Sequence, residues 1–432
     1  MMVLTKDHQC TERRKAMLVK TLLNRVEKFK SFVYDNPRFE KVDRQIALVI
    51  DILPRKNSQP ICPICLKPFH THDTLAARLY EYVPIWDFKV YFRYARRRAN
   101  CDIDGPIAEF IPWAVGKEHQ TTTYKVFLAR WARRLSWKET AGIFKTSWDS
   151  VFRAVKYVVE YGLAHQSLDG IKQLGIDEIS YGGHKYLTLV YQLDEGCRRL
   201  LWSGPKRRVK TLLWFFRWFG KERSALLEYV SSDMWAPYLK VIKKKAINAL
   251  NILDRFHIMK KFNEAIDKIR REEAKQLSQH SKEHILINSR WSLLKNKENM
   301  TENQVVKLKE LLRHKLRSVK GYLMREDFQR FWQLRYVGCA EKFLDAWIKR
   351  TMHSKLEPMK KVARTLRNHQ PLILNWFHAE GKVSNGPVEG LNLKAKLAMR
   401  KAYGFRNVET LQIALYHTLG KLPEPDIGYK FC

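Results

Sequence analysis

The segment 172–257 constrains the fold most, because short apolar runs alternate there with longer amphipathic stretches. Runs of about four to eight residues rich in β-branched and aromatic side chains are typical of strands, whereas a 3.6-residue period indicates helices. The predicted order is three strands, a helix, a strand, a helix and a final strand, at 174–179, 186–193, 199–202, 209–219, a run ending at Asp233, 236–245, and a run ending at Asp254. This order predicts a mixed sheet with helices packed on it.

Acidic side chains occupy particular places in this order. Asp177 falls in the first predicted strand, and Asp233 directly follows the fourth. The order is that of an RNase H-like core, in which carboxylates at these two positions lie side by side and a third comes from a helix beyond the fifth strand. Glu389 suits the third position, because Pro387 favours the first turn of a helix that would contain it. A Lys/Arg-rich helical segment before Glu389 is predicted to be an all-helical insertion.

Clustered carboxylates repel one another unless a divalent cation neutralises them. Two Mg²⁺ ions about 3.5–4 Å apart can activate a water or sugar hydroxyl and stabilise the leaving oxygen of a phosphoryl displacement. We therefore expect Asp177, Asp233 and Glu389 to bind two Mg²⁺ ions, which Mn²⁺ could replace. Taken alone, each aspartate could instead be a helix cap or an ion-pair partner. Asp254 is the alternative for the middle acid.

Charge indicates the partner. The 432 residues include 80 Lys and Arg against 44 Asp and Glu, a net charge of +36. A folded chain this basic favours a polyanion, and double-stranded DNA is preferred to a membrane because no apolar run reaches the roughly 18 residues of a spanning helix. The polar start predicts no signal peptide. Seven thinly spread cysteines do not suggest a disulfide framework, which indicates the reducing cytoplasm.

A cysteine cluster predicts a zinc-ribbon-like β domain. Cys62 and Cys65 form a C-x2-C pair, and Cys101 with Asp104 forms a second pair in which an aspartate replaces the last cysteine. Two such pairs at the ends of a β-ribbon can hold a tetrahedral Zn²⁺. The fourth ligand could be Asp104, or else His70 or His72. The cysteines could also be ordinary reduced residues of a small β core.

Two further stretches suggest DNA contact. Arg96, Arg97 and Arg98 follow aromatic residues on a predicted strand and suit a phosphate-facing ribbon, although a solvated edge strand would look the same. Near residues 136–159, two short helices are separated by a turn, as in a helix-turn-helix. The second helix would place Arg153 and Lys156 toward the major groove. Plain helical proteins contain similar pairs.

The capping pattern of this helix pair is specific. Ser136 followed by Glu139 predicts a capping box on the first helix, and Ser147 predicts a cap on the second.

Several stretches together resemble bacterial insertion-sequence transposases of the ISL-three type, from about residue 18 to 425. They are "LARWARRLSWKE", "GIDEIS", "SDMWAPYLKVI", "LDRFHIMKKFNEAID", "NGPVEGLN" and "KAYGFRN". The resemblance implies metal-dependent DNA cleavage and strand transfer by an acidic triad, on terminal inverted repeats and target DNA, by a homo-oligomer of at least two chains. It also implies that His257 supports the active site. Leu393 stands where the family usually has a second asparagine after Asn392.

The resemblance further implies that the insertion grips the DNA end near the metal ions. Trp291, flanked by Arg290 and Lys295, is predicted to stack on a displaced base, unless it belongs to the core. Trp332 and Trp347 lie in more regularly apolar helices and are predicted to be core residues.

The predicted organisation is multidomain α+β. Its segments are an N-terminal helical segment 1–42, the cysteine β domain 43–115, the helix-turn-helix 116–168, the first part of the core 169–258, the helical insertion 259–370, and the second part of the core 371–432. Two other functions fit less well. A DNA-binding regulator or inactive derivative would lack one of the acids, and a structure-selective RNase H-like nuclease would have little use for separate DNA-binding modules.

Overall fold

Two units, divided at Gln166, make up the chain in a computed structural model that describes residues 19–183, 185–279, 284–380, 386–402, 404–405 and 407–427. The first unit runs to Gln166 and also includes residues 416–418 and the segment from Leu422. The second unit comprises Ser167–Leu415 and Leu419–Lys421. No helix in the described residues is both long and apolar enough to cross a membrane.

The first unit begins with a short helix followed by strands. These are α1 (Val19–Val26), β1 (Phe32–Tyr34), β2 (Arg38–Val42), β3 (Gln45–Pro54), β4 (Thr71–Thr74), β5 (Arg78–Ile85), β6 (Phe88–Tyr94), β7 (Arg97–Cys101) and β8 (Gly105–Ala108). One sheet has the order β1-β3-β6-β5, with β2 also paired to β3, and another has the order β4-β7-β8. The second of these sheets carries the Cys101 end of the cysteine cluster.

The strands begin earlier than the sequence pattern predicts. The N-terminal segment 1–42 was expected to be helical, but α1 ends at Val26, and β1 and β2 already belong to the first sheet. The rings of Phe29 and Phe32 pack on buried Trp113, with centroid distances of 5.1 and 4.9 Å. This packing and the pairing of β1 with β3 outweigh the local helical spacing. Residues 1–18 of the predicted segment lie outside the described part of the chain.

Three helices complete this part of the unit: α2 (Thr122–Arg134), α3 (Trp137–Ile143) and α4 (Trp148–His165). The predicted capping box is confirmed, because the Ser136 hydroxyl accepts from the Glu139 backbone and the Glu139 side chain accepts from the Ser136 backbone. Ser147 caps α4 as predicted, by accepting from the Ser150 backbone. Two well-capped helices therefore flank a short turn.

The chain's C-terminal segment packs on the first unit, whereas the sequence assigned all of 371–432 to the second part of the core. Arg130 forms a 2.8 Å ion pair with Glu424. Gly162 on α4 faces Leu422 so closely that a Cβ there would lie 2.5 Å from the leucine Cβ. A glycine at position 162 therefore allows this segment to lie against α4.

The second unit contains the predicted mixed sheet. Its elements are β9 (Gln173–Gly182), β10 (Lys185–Gln192), β11 (Arg199–Pro205), α5 (Val209–Phe219), α6 (Lys221–Ala225), β12 (Tyr229–Ser232), α7 (Ala236–Lys245) and β13 (Leu250–Leu253). The strand order is β11-β10-β9-β12-β13. β9 pairs antiparallel with β10 and parallel with β12, and β12 pairs parallel with β13. The predicted order of strands and helices is confirmed, with α6 as an addition.

Helices follow β13. They are α8 (Arg255–Ser278), α9 (Arg290–Leu294), α10 (Glu302–Leu312), α11 (Arg317–Gln329), α12 (Val337–Met352), α13 (Glu357–Asn368), α14 (Gln370–His378), α15 (Gly386–Lys401) and α16 (Val408–Leu419). Helices α8 to α14 share a core that includes Trp332 and Trp347, as predicted. The Asn375 side chain on α14 donates a 2.8 Å hydrogen bond to the Asn251 carbonyl on β13, which returns the chain to the sheet.

Candidate active site and cysteine cluster

The first acid of the site lies on β9, held against α15. The Asn392 side-chain amide donates a hydrogen bond to the Asp177 carboxylate, and its oxygen accepts a 2.7 Å bond from the Tyr191 hydroxyl. Gly175, two residues before Asp177, allows this approach, because a Cβ there would lie 2.6 Å from the Val388 side chain. Glu389 lies in the first turn of the same helix. β9 and α15 thus bring Asp177 and Glu389 to one face of the sheet.

His257 links Asp177 to a further acid. Its Nε2 atom lies 3.9 Å from Asp177 Oδ1 and 3.7 Å from Asp254 Oδ2. Asp254 is buried and caps α8, because its Oδ1 atom accepts a 2.8 Å hydrogen bond from the Phe256 backbone. Asp254 therefore caps the helix that carries His257 and lies beside its imidazole.

The electrostatics of this face favour a bound cation. Burial raises the pKa of Asp177, and the negative charge of Asp254 raises it further. Burial also raises the pKa of Glu389, to which the charges of Asp254 and Asp177 contribute. Carboxylates held near one another in partly buried surroundings are the hard oxygen ligands that Mg²⁺ prefers. The donor set on this face therefore fits a divalent cation.

Asp233 is placed differently from the other acids. The pairing of β12 with β9 ends at Ser231 opposite Gly175, two residues before Asp233 and Asp177 in their respective segments. The Asp233 side chain accepts a 2.5 Å hydrogen bond from Arg207 and a 2.9 Å bond from the Trp235 backbone. Asp233 thus directly follows β12, as predicted, with its carboxylate directed to Arg207.

Arg207 also pairs with Glu178, which the sequence analysis missed as part of the site. The Arg207 Nε atom lies 3.1 Å from Glu178 Oε1. Burial, together with the charge of Asp233, raises the pKa of Glu178 to about 8. Because side chains alternate along a strand, Glu178 points to the opposite face of the sheet from Asp177. This alternation is the sequence signal that could have predicted a second acidic side chain on the other face. No sequence pattern indicates the arginine.

A cavity of about 450 Å³ opens beside Asp254 and Glu389. Its other walls come from the start of α8, from α11 and from α14, with Arg255, Phe256, Met259, Lys260, Asn263, Asn296, Arg325, Gln329 and Trp376 among the lining residues. Aromatic, amide and cationic side chains together suit a nucleotide.

The cysteine cluster assembles as the spacing predicts. One ligand atom from each of Cys62, Cys65, Cys101 and Asp104 lies within 4.8 Å of all the others. The Cys65 and Cys101 sulfurs are 3.9 Å apart, and Asp104 Oδ2 lies 3.3 Å from both the Cys62 and Cys101 sulfurs. Zn–S bonds of about 2.3 Å in a tetrahedron require a similar spacing. Three thiols and a carboxylate therefore fit Zn²⁺, with Asp104 in the fourth position.

The histidines offered as alternative ligands lie elsewhere. Exposed His72 lies 3.4 Å from Asp73, and His70 is also exposed. Among the described residues, neither histidine belongs to the group of potential metal ligands around the cysteines.

The three arginines predicted to face phosphate are engaged within the first unit. Arg97 is buried, and its guanidinium bonds to Glu109 and the Ser58 carbonyl, so the expectation of phosphate contact is wrong for this residue. Arg98 makes two hydrogen bonds to Asp73, and Arg96 donates to the Gly116 and Glu109 carbonyls. Burial of Arg97 follows from the alternation along β7, which turns every second side chain inward.

The other predicted DNA-binding residues lie on surfaces. Arg153 on α4 is exposed and reaches the Ser150 hydroxyl at 3.3 Å, while Lys156 lies 3.8 Å from Glu160. Trp291 is 50% exposed, so the alternative that placed it in the core is wrong. The Arg290 guanidinium lies over the Trp291 ring at 4.9 Å.

Comparison with known proteins assigns the class of this chain. Residues 174–415, more than half of the chain, match the profile of the DDE_Tnp_ISL3 family, described as a transposase. The chain therefore belongs to the ISL3-type transposases.

Two relatives show how far this similarity extends. The chain is 27% identical over 342 residues to the transposase for insertion sequence element IS1001 of Bordetella parapertussis, covering 78% of this chain and 83% of that protein. It is 26% identical over 349 residues to the transposase for insertion sequence element IS1557 of Mycobacterium tuberculosis, covering 75% and 77%.

Proposed function

We propose that this transposase binds the terminal inverted repeats of its own insertion sequence and carries out divalent-metal-dependent DNA cleavage and strand transfer. The observation that carries the proposal is the hydrogen bond from Asn392 on α15 to Asp177 on β9. Glu389 lies on the same helix as Asn392, so this bond brings the two acids together. The sheet order, antiparallel on one side of β9 and parallel on the other, supports an RNase H-like core. The protein would act on chromosomal DNA in the bacterial cytoplasm.

Asp177, Asp233 and Glu389 are the proposed metal ligands. Asp233 is preferred to Asp254 because its strand, β12, is the direct neighbour of β9, whereas β13 lies one strand further away. Neighbouring strands are about 4.8 Å apart, so the backbone after β12 is expected one strand spacing from β9 and the backbone after β13 two. The preference rests on this strand order, because it is the Asp254 carboxylate that lies beside His257 together with Asp177. Asp254, buried and paired with His257, is proposed to support the site.

When bound, two Mg²⁺ ions would polarise the scissile phosphate and activate the attacking water or 3′-hydroxyl. The chain's own residues would position this chemistry. Asn392 holds one oxygen of Asp177, and the Glu178 backbone donates a 2.7 Å hydrogen bond to the other. His257 lies beside that second oxygen. The cavity next to Glu389 supports entry of the nucleotide adjacent to the cleaved phosphate.

DNA recognition is proposed for the first unit. Arg153 and Lys156 on α4 would read the major groove, and Arg96 and Arg98 would lie near phosphates. Zn²⁺ held by the cysteine cluster would stabilise the sheet that contains β7. Because an insertion sequence has two ends, at least two chains would assemble on its DNA.

The proposal is tested with duplexes that carry the repeats flanking the gene. With Mg²⁺, the wild-type chain should nick the repeat end, whereas Glu389→Gln should bind the same duplex without cleaving it. Arg153→Ala should weaken binding to repeats more than binding to random DNA if Arg153 reads bases, and both equally if it contacts phosphate alone. Equal cleavage by wild type and Glu389→Gln would refute the proposed site.

A further inference from the structure

Arg207 connects two acidic side chains, Glu178 on β9 and Asp233 directly after β12. Its guanidinium bonds to Asp233 at 2.5 Å and lies 3.1 Å from Glu178. The same group stacks over the Trp235 ring at 4.7 Å. Both acids are largely buried, whereas the arginine is about one-third exposed, with a side-chain accessibility of 36%. Arg207 is therefore a cation held from one side by the Asp233 carboxylate, the Glu178 side chain and an indole.

The loop that carries Arg207 is anchored to the sheet. Thr188 lies directly opposite Glu178 in the pairing of β10 with β9. The buried Thr188 hydroxyl donates a 3.0 Å hydrogen bond to the Lys206 carbonyl, and the Lys206 backbone donates a 2.8 Å bond to the Tyr186 carbonyl. These two bonds place Arg207 on the Glu178 side of β9.

Both oxygens of Asp233 are engaged in this arrangement. Oδ1 accepts from the Trp235 backbone, and Oδ2 accepts from Arg207. A divalent cation shared between Asp177 and Asp233 needs one of these oxygens. Because Arg207 lies on the Glu178 side of β9, the Asp233 carboxylate has to leave Arg207 to reach such a cation, and an oxygen bonded to an exposed arginine side chain is easier to release than one bonded to the backbone. The cation and the Arg207 guanidinium therefore compete for Asp233 Oδ2.

We propose that Arg207 is a positioning residue of the metal site, which holds Asp233 until a divalent cation displaces it. Glu178 and Trp235 then retain the displaced guanidinium close to the site, so Asp233 can be recaptured when the cation leaves. This inference rests on the proposed function, because it takes Asp233 as a metal ligand. In this proposal, Glu178 is the partner that Arg207 keeps after it has released Asp233.

Manganese binding by the full-length chain without DNA tests the inference. Mn²⁺ is titrated and its unbound fraction is followed by electron paramagnetic resonance, a readout independent of cleavage. Arg207→Gln should bind Mn²⁺ about two- to fivefold more tightly than wild type, because a partly exposed ion pair no longer competes. Arg208→Gln is the matched control: it removes the same charge from the next residue, which is exposed and whose side chain makes no capping bond to α5.

The double variant assigns the effect to Asp233. In an Asp233→Asn background, Arg207→Gln should no longer increase Mn²⁺ affinity beyond the Arg208→Gln control. Equal affinities of Arg207→Gln and Arg208→Gln in the otherwise wild-type chain would overturn the inference. If Arg207→Gln does not fold, Arg207→Lys replaces it, because a lysine ammonium cannot bridge both carboxylates in the same way and should also raise Mn²⁺ affinity.

Substitution of the other two proposed metal ligands tests the metal site independently of Arg207. Asp177→Asn and Glu389→Gln should each weaken Mn²⁺ binding whatever Arg207 does. If both variants bind Mn²⁺ as wild type does, the metal site is refuted, and the competition proposed for Arg207 is refuted with it. If they weaken binding while Arg207→Gln matches its control, the metal site stands and the role of Arg207 alone is refuted.

Discussion

Asn392 donates a hydrogen bond to the Asp177 carboxylate although 215 residues separate the two in sequence. The Tyr191 hydroxyl bonds to the oxygen of the same amide at 2.7 Å, so Asn392 is held between β10 and the acid on β9. An asparagine suits this place because its amide donates to a carboxylate and accepts from a phenol at once. The bond sets the distance of Glu389, three residues earlier on α15, from Asp177.

Replacement of Asn392 should therefore damage catalysis more than folding. We expect Asn392→Ala to lower the cleavage rate by roughly ten- to a hundredfold, because misplacement of a reacting group is costly. The free energy of unfolding should fall by about 1–3 kcal/mol, since a buried hydroxyl loses its acceptor. Leu393→Ala is the control, because Leu393 is 58% exposed and should affect neither quantity strongly. Unchanged cleavage by Asn392→Ala would contradict a positioning role.

Asparagine substitutions should distinguish the two middle aspartates. Asp233→Asn should reduce strand cleavage by roughly a thousandfold or more while repeat binding persists, because metal charge stabilisation is worth several kcal/mol. Asp254→Asn should retain measurable cleavage. Asparagine caps helices about as well as aspartate, so α8 should keep its N-terminal cap in this variant. Cleavage by Asp233→Asn together with none by Asp254→Asn would move the middle ligand to Asp254.

The sequence predicted the sheet more fully than the site. Short apolar runs located β9 to β13, and helical periodicity located α5 and α7, because each pattern reflects burial of nearby residues along one element. The partnership of Arg207 with Asp233 depends instead on where a loop folds over β10. Likewise, Glu424 pairs with Arg130 across 294 residues, and no local pattern indicates such a contact.

Tryptophans and arginines also show that local sequence pattern does not always predict burial. Trp347 lies in the 16-residue helix α12, whose apolar periodicity identified it as a core residue, whereas α9, which carries Trp291, is too short for its periodicity to decide burial. Trp332, in a short 3-10 turn after α11, was also identified as a core residue. Consecutive arginines were also hard to separate. Arg97 is buried and Arg98 is not, because they fall on opposite faces of β7.

Substitution of Asp104 should change zinc retention in a predictable direction. Thiolate is a softer ligand than carboxylate and is common in closed zinc sites. We expect Asp104→Cys to lose Zn²⁺ to a chelator more slowly than wild type, and Asp104→Ala to lose it faster, each by roughly tenfold. Zinc release to a colorimetric chelator measures this. His72→Ala is the control and should release zinc as wild type does, while equal release by all the variants would place zinc elsewhere.

Lys125 should make stability depend on alkaline pH. Its side chain is buried on α2, paired with Glu118 and 4.5 Å from the Tyr157 ring centroid. Burial lowers the pKa of Lys125 to about 8, and the charge of Arg153 contributes. Between pH 8 and about 10.5, the unfolded chain binds a proton that the folded chain has lost, so the free energy of unfolding rises with pH. Below pH 8 both states are protonated, and this contribution is constant.

Lys125→Met removes the titrating group while keeping most of the side-chain volume. The unfolding free energy of wild type should rise relative to that of Lys125→Met by at most about 3 kcal/mol between pH 8 and 10.5. Urea denaturation of both proteins across this range measures the difference, and other titrating groups cancel in the comparison. Parallel curves would show that Lys125 keeps an ordinary pKa.

Trp291 should contribute to processing of the DNA end and little to stability. The ring is 50% exposed beside Arg290, a surface on which a displaced base can stack with about 1–3 kcal/mol. Trp291→Ala should therefore lower the end-cleavage rate while the melting temperature stays near that of wild type. Trp214→Ala is the matched control, because Trp214 is 41% exposed and Lys210 lies over its ring at 5.5 Å on a different helix.

The buried Trp347, 1% exposed, provides the opposite control. Trp347→Ala should lower the free energy of unfolding by about 3–5 kcal/mol, because it leaves a cavity in the helical core. If Trp291→Ala loses stability to a similar extent, its effect on cleavage reflects unfolding of α9, and stacking is excluded. If Trp291→Ala and Trp214→Ala reduce cleavage equally, the loss reflects a general effect of exposed tryptophans rather than a contact with the DNA end. Loss of cleavage by Trp291→Ala alone, at unchanged stability, is the result expected for a stacking residue.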